Sequence, residues 1–215
     1  MRGIDAFWMS MSFKDFLTGL SLKRAPGPSP SFSVLDVIRL LRLLAERGVV
    51  GRGGISRALG LGEGTTRTML DRLEKAGLIV ISKKGCMLTE KGKSIWGSIE
   101  EIIPKIVELK DIELGIASEN VAILVRGRGE KIKSGIEQRD AAVSSGAKGT
   151  VTIVCRDSRL IIPGVNIDVE ESYPRAFEKI MRLMDPKDGD VIIVSGGDTL
   201  RSAEYGALAA ALSLI

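Results

Sequence analysis

The chain has 215 residues, 44% hydrophobic and 27% charged, which suits one large or two small domains that each bury a core. It contains no histidine, the commonest zinc ligand and general base, so zinc hydrolases and Ser-His or Cys-His nucleophile systems are disfavoured. Residues 1–110 carry a net charge of +7 and residues 111–215 one of −3, and the basic half has the balance of a nucleic-acid-binding module.

Residues 1–32 are predicted to form an N-terminal extension and a linker. The segment FKDFLTGL (13–20) has the spacing of a short amphipathic helix, whereas the three prolines of APGPSPS (25–31) block regular structure. Met9 and Met11 are alternative starts of translation, which leaves the origin of residues 1–10 open.

Three helices are predicted next. Ser33 is expected to cap the first, whose apolar residues recur at spacings of three and four, and Gly48 is expected to end it. The stretch GISRALGL makes a short second helix, and LGEG turns into a third at residues 64–76.

The third helix carries an apolar seam on one side and short hydroxyls and guanidinium groups on the other. Side chains of these types can contact base edges and phosphates. A cap formed by Thr65 and a solvated arginine face explain the same pattern equally well. The polar side consists of Thr65, Arg67, Thr68, Asp71 and Arg72.

A hairpin is predicted after this helix, because LIVIS (78–82) and CMLTE (86–90) are apolar runs on either side of KKG. Lys83 and Lys84 lie at its tip, where they can reach phosphates. Helical spacing then resumes and predicts a long helix over residues 90–109.

Residues 33–92 resemble a winged helix-turn-helix DNA-binding domain, and LDRLEKAGLI, a hairpin and LTEKG are similar to segments of many microbial transcription regulators. The resemblance implies that the helix at 64–76 enters the major groove of DNA while the hairpin touches the backbone. Glu63, Asp71 and the short hairpin depart from that pattern, and some winged helices bind proteins. With the charge asymmetry included, DNA binding is favoured. The implied DNA-binding residues are Thr65, Arg67, Thr68, Arg72, Lys83 and Lys84.

The expected fold class is therefore a two-domain α+β or α/β protein. The winged helix domain with its following helix spans residues 33–110, and a small α/β domain with a mixed sheet spans residues 111–215. The second domain's strands are predicted at 120–127, 150–155, 159–164 and 191–195, with helices at 135–144 and 173–184 and from residue 200 onward.

Two segments of the second domain are candidate ligand sites. In VIIVSGGDT a strand enters a glycine pair and then a helix, which either cradles an anion or forms a plain turn, and the plain turn is favoured. Arg139 and Asp140 near a helix start are ligand candidates too, although a solvated salt bridge explains them better. The candidate residues are Arg139, Asp140, Ser195, Gly196, Gly197, Asp198 and Thr199.

The whole chain resembles archaeal winged-helix proteins that carry an uncharacterised α/β domain. The first hypothesis is a transcription regulator that binds double-stranded DNA as a homodimer and senses a small anionic metabolite. The GALAAALSL helix and the helix at 90–109 are the candidate interfaces, although close packing onto the sheet explains the alanines equally well. One alternative is an enzyme for a phosphorylated or nucleotide-like substrate, with Asp140, Asp157 and Asp198 as candidate acids. Another is a scaffold that binds proteins.

Cys86 and Cys155 lie in apolar runs in different halves of the chain, which predicts buried thiols rather than a disulfide or metal site. The longest apolar stretches are shorter than the roughly 20 residues of a membrane span, and no signal peptide is evident. A cytoplasmic protein that is not an enzyme, with no metal, cofactor or membrane partner, is expected.

Overall fold

The computed structural model describes residues 13–21 and 31–215, which form two compact units that divide between Ile99 and Glu100. The division lies ahead of the predicted domain boundary at residue 110. Residues 1–12 and the predicted proline-rich linker, apart from Ser31, lie outside the described residues.

The first unit has the winged helix-turn-helix order that the sequence predicts. Its helices are α1 (Phe13–Ser21), α2 (Val34–Arg47), α3 (Arg52–Leu59) and α4 (Glu63–Lys75). A hairpin of β1 (Ile79–Ser82) and β2 (Gly85–Leu88) follows, and then α5 (Glu90–Ile102), within which the division between the units falls. The short amphipathic helix predicted at 13–20 is confirmed as α1.

Local chemistry fixes both ends of α2. The backbone N–H of Ser33 donates to the Asp36 carboxylate at 2.8 Å, so a free amide of the first turn is satisfied. Gly48 ends the helix with a φ of 72°, and its N–H donates to the Leu44 carbonyl at 2.9 Å. Both ends lie where the sequence predicts them.

Glycine at position 92 allows α5 to pack closely against Leu78, in the segment between α4 and β1. A Cβ on Gly92 would lie 2.1 Å from the backbone oxygen of Leu78, which is far inside van der Waals contact. The glycine of the LTEKG segment is therefore required by packing.

The helix predicted over residues 90–109 is wrong beyond Ile102. Pro104 lacks the N–H that a helix interior needs and disfavours helical geometry at Ile103. The chain continues as β3 (Lys105–Glu108), which pairs with the next strand of the second unit. The helical spacing of the isoleucines up to Ile106 had led to a helix prediction where the chain forms β3.

The second unit contains a six-stranded sheet of order β3-β4-β8-β5-β6-β7. After β3 its strands are β4 (Glu119–Val125), β5 (Gly149–Arg156), β6 (Arg159–Ile162), β7 (Ile167–Asp168) and β8 (Val191–Gly197). Its α-helices are α6 (Ile136–Ser144), α7 (Val169–Ser172), α8 (Pro174–Met184) and α9 (Leu200–Leu212).

The sheet was predicted to be mixed, but all the strand pairs that the structure describes are antiparallel. The helix α6 does connect two parallel strands, β4 and β5, as an α/β pattern suggests. These two strands are not neighbours, because β8 lies between them and runs antiparallel to both. The strand–helix–strand pattern of β4, α6 and β5 was therefore predicted correctly. The pairing was not, because β8, from much later in the chain, lies between the two strands.

Helices cover both faces of this sheet. On one face, Ile180 and Met184 of α8 join a buried cluster with Ile192 and Val194 of β8. On the other face, α9 packs so closely that a Cβ on Gly206 would lie 2.4 Å from the Ser195 hydroxyl. The small residues of α9 are thus explained by packing onto the sheet, so they give no support to α9 as a dimer interface.

Both cysteines are free and buried, as predicted. Burial raises the pKa of the Cys86 thiol, and burial together with the Asp188 carboxylate raises the pKa of Cys155 to about 11. At pH 8 a chromogenic disulfide reagent should therefore leave both thiols of the native protein unmodified and modify both in denaturant. Rapid modification of the native chain would contradict this.

Among the described helices, none has the length and apolar character to cross a membrane.

Candidate nucleic-acid interface

The hairpin is held to the loop before α3 by a two-bond β-bridge. Val50 and Cys86 exchange backbone hydrogen bonds of 3.0 and 2.9 Å. Gly85 has a φ of 134°, and a Cβ on it would lie 2.9 Å from the Val50 carbonyl group, so glycine permits this approach. The hairpin tip is thereby fixed relative to the start of α3.

An open groove of about 340 Å³ lies between α4 and the hairpin. We call it the helix–hairpin groove. Its lining combines the outer side of α4, the hairpin tip and the start of α3, and includes Arg52, Arg67, Asp71, Ile81, Lys83 and Lys84. All four cationic side chains are exposed.

Three of these cations are among the predicted DNA-binding residues, namely Arg67, Lys83 and Lys84. The structure brings them to one groove, although they come from different elements. Arg52 was missed by the sequence analysis, because its place beside the hairpin depends on the Val50–Cys86 bridge. The only sequence signal for Arg52 was its position at the predicted start of a helix, directly after Gly51.

The first turn of α4 is open to an approaching partner. Its N-cap is Gly62, which has no side chain to cap the helix, so Thr65 does not form the cap that was the alternative explanation for its presence. A Cβ on Gly64 would meet no atom within 4 Å. Thr65 is half-buried, and the exposed Thr68 donates its hydroxyl hydrogen to the Gly64 carbonyl at 3.0 Å.

Arg72 has a different environment from the one predicted. Its guanidinium donates to the Leu20 carbonyl of α1 at 2.9 Å and lies 5.5 Å from the centroid of the Phe32 ring. The hydrogen bond holds it against the N-terminal helix, and the cation–π contact holds it against Phe32, just before α2. Arg72 therefore has a structural contact, and we do not include it in the proposed DNA-contacting set.

Negative charge also reaches this surface. Asp71 is exposed and lines the helix–hairpin groove, while Glu63 is exposed in the first turn of α4. A carboxylate beside the cations weakens their attraction for phosphate. The four groove cations still outnumber these two acids.

In the second unit, the candidate segment VIIVSGGDT is closely packed rather than open. Gly196 and Gly197 belong to β8, and a Cβ on Gly197 would lie 2.2 Å from the Ser202 hydroxyl. Ser195 is fully buried, and its hydroxyl donates to the Gly149 carbonyl at 3.3 Å. The packing supports a plain strand-to-helix turn.

The remaining polar groups of that segment have partners as well. Thr199 caps α9, since its hydroxyl accepts the Ser202 N–H at 3.1 Å. The Asp198 carboxylate lies 3.0 Å from the Lys148 ammonium, and both side chains are exposed. An anion would have to displace these contacts.

The basic turn after β4 is also used structurally. The Arg126 guanidinium pairs with the Asp190 carboxylate, which is only 3% exposed. The same carboxylate accepts the backbone N–H groups of Gly127 at 3.0 Å and Lys187 at 2.8 Å. This network joins the end of β4 to the start of β8.

Arg139 and Asp140 lie on the exposed surface of α6 and form an ion pair of 3.3 Å. The candidate catalytic acids Asp140, Asp157 and Asp198 lie on three separate elements: α6, the β5–β6 turn and the β8–α9 turn. Within residues 13–21 and 31–215, no group of three His, Cys, Asp or Glu side chains could hold a metal ion.

Two family models match the chain. Residues 33–94 match the N-terminal domain of PH0730-like proteins, and residues 116–214 match a domain of unknown function, DUF4443. No curated protein matches the sequence.

A solved structure resembles both parts together. It is the hypothetical protein PH0730 from Pyrococcus horikoshii OT3, which is 32% identical, with a TM-score of 0.70. The similarity covers 86% of this chain and 93% of that protein, an archaeal relative.

Proposed function

This chain belongs to the PH0730-like family, and we propose that it is a sequence-specific, DNA-binding transcription regulator. In this proposal the first unit binds duplex DNA, while the second dimerises and senses a small anionic ligand rather than catalysing a reaction. The predicted cytoplasmic location belongs to the same proposal.

The observation that carries this proposal is the clustering of Arg52, Arg67, Lys83 and Lys84 around the helix–hairpin groove. Cations spaced over a helix and a hairpin tip can contact phosphates on both sides of a groove in DNA. Thr65 and Thr68, on the first turns of α4, are then positioned to approach base edges. In this arrangement the four cations position the protein on the DNA backbone, and the two threonines read the base sequence.

Dimerisation follows from a physical argument about affinity. One winged helix buries a small surface on DNA, and two copies that read half-sites gain both affinity and specificity.

The proposal is tested by fluorescence anisotropy of the full chain with a labelled duplex from its own upstream region and a scrambled duplex. The upstream duplex should bind more tightly, and log affinity should fall linearly with log salt, with a slope of about −0.9 for each phosphate contact. Absence of binding to either duplex at low salt would contradict the proposal.

A protein partner for the first unit has one observation in its favour. Val80, Ile81 and Met87 of the hairpin are 42, 40 and 40% exposed, and Val80 lies opposite Met87 in the hairpin. Exposed apolar groups of this kind suit a protein contact. Polar replacements of Val80 and Met87 that leave DNA affinity unchanged but abolish association with another protein would support this second function.

A further inference from the structure

Strand β5 has an open edge in the second unit. It pairs with β8 over Gly149–Val154, but with β6 only over Val154–Arg156. Alternate residues of an antiparallel strand direct their peptide groups to opposite neighbours. Cys155 bonds toward β8, so the peptide groups of Thr150 and Thr152 are directed to the other side.

A groove of about 280 Å³ lies along this edge, and we call it the β5-edge groove. Its walls come from the start of α6, from β5 and from the segment after β6. The lining includes Gly135, Ile136, Arg139, Thr152, Ile162 and Val165.

The groove contains a buried hydroxyl without a partner. Thr152 is 5% exposed, and no described group forms a hydrogen bond with its Oγ1. It lies beneath Gly135, where a Cβ would be 3.3 Å from Oγ1. A buried polar atom that forms no hydrogen bond is costly, and such atoms are found where a ligand or water completes the site.

Positive charge lies at the same end of the groove. Arg139 lines it, and its partner Asp140 is a sequence neighbour in an exposed pair that water screens strongly. The start of α6, with Gly135 as its N-cap, lines the groove, so the positive end of the helix dipole lies there. The Ser134 hydroxyl accepts the Ile136 N–H at 3.5 Å, and Gly135 provides no side-chain cap for the other N–H groups of the first turn. Both features favour an anionic group.

The rest of the groove is apolar and open. Val165 is 64% exposed and Ile136 is 55% exposed. Among the described residues, no other large hydrophobic side chain is as exposed as these two. Both line this groove, with Ile162 beside them. Exposed aliphatic side chains beside a cation suit a ligand with an aliphatic part and a charged end.

We propose that the β5-edge groove binds a small aliphatic carboxylate. Its carboxylate lies at the start of α6, where it accepts hydrogen bonds from Arg139 and from the Thr152 hydroxyl, and its alkyl part packs on Ile136, Ile162 and Val165. The site deepens the sensing role proposed above by giving it a place and a ligand class. It replaces the VIIVSGGDT segment as the candidate site.

The test uses 4-methylpentanoate as the probe and full-length protein with labelled isoleucine, valine and threonine methyl groups. NMR titration should give saturable shifts at Ile136, Thr152 and Val165, with a Kd of about 1 mM or tighter for a ligand of this size. The neutral amide of the same acid and inorganic phosphate should each bind at least about tenfold more weakly, because each lacks one half of the recognised chemistry.

Three variants separate the parts of the site. Arg139→Gln should weaken binding of the probe about tenfold, whereas Arg175→Gln, on exposed α8 surface, should leave it unchanged. Thr152→Val should also weaken binding and should raise the thermal midpoint of the ligand-free protein by a few degrees, because the unpartnered hydroxyl is removed.

Each result decides one point. Absence of saturable shifts would overturn the site, and equal binding of the amide would overturn the carboxylate. Thr152→Val with a raised midpoint and unchanged affinity would show that the hydroxyl does not serve a ligand, which overturns its role in the site. The titration contains no DNA, so its failure is distinct from failure of the DNA-binding proposal.

Discussion

Glutamine in place of Arg52, Arg67, Lys83 and Lys84 should lower the affinity for duplex DNA about 100-fold or more at about 0.1 M salt. All four side chains are exposed, and they surround the helix–hairpin groove. Each cation that neutralises a phosphate releases a counterion, so the loss of four contacts removes a large, salt-dependent part of the binding free energy. The fold should be retained, since exposed substitutions have small effects on stability.

The salt dependence gives a second readout of the same variant. The slope of log affinity against log salt should become less negative by about 0.9 for each lost contact, a total of about 3 to 4. Fluorescence anisotropy over a salt series measures both the affinity and the slope.

A matched control changes the same formal charge elsewhere. Lys133, Arg156, Arg182 and Lys187 are exposed cations of the second unit, and their replacement by glutamine also removes four positive charges. The control should retain most of the affinity. If both variants lose affinity equally, the effect comes from net charge, and the helix–hairpin groove is not the interface.

Replacement of Asp190 by alanine should destabilise the second unit by about 3 kcal/mol, because a buried ion pair loses one partner. The carboxylate pairs with Arg126 and accepts backbone N–H groups from Gly127 and Lys187. Without it, both N–H groups lose their acceptor, and a partly buried guanidinium loses its counter-charge. Hydrogen exchange of the β4 and β8 amides measures the free energy of opening in the full chain.

Asp198→Ala is the matched control for this substitution. It removes a carboxylate from the Lys148 pair, in which the side chains are 59% and 74% exposed. Exposed pairs contribute at most about 1 kcal/mol, so the control should change opening only slightly. An Asp190→Ala protein that opens no more readily than the control would contradict the structural role of the network.

Much of the first unit was predictable because its signals are local. Ser33, Gly48 and the apolar stripe between them determine α2 within a span of 16 residues. The hairpin was predictable for the same reason, since two short apolar runs flank KKG. The role of Arg72 was not predictable from local signals, because its guanidinium donates to the carbonyl of Leu20 in α1, which is distant in sequence.

The second unit was harder to predict because its sheet is built from distant pairs. Spacing alone favoured a helix through Ile106, although Pro104 was a signal against it. The antiparallel sheet depends on β8 lying between β4 and β5, and neither neighbour is adjacent to it in sequence. The β5-edge groove was missed likewise, because Arg139, Thr152 and Val165 meet only after the sheet has formed.

The central position of β8 has a consequence for synthesis of the protein. Of the six strands, β8 is the last to leave the ribosome, yet it joins β3 and β4 to the other three. Until it emerges, β4 and β5 lack their shared neighbour and expose unpaired edges, which are prone to association with other chains. The described strand pairings of the first unit all lie within residues 50–88, so this unit can fold while the second is still being made. Nascent chains that stall before Val191 would therefore carry a folded helix–hairpin unit attached to an incomplete sheet, and they are the species that chaperones must protect.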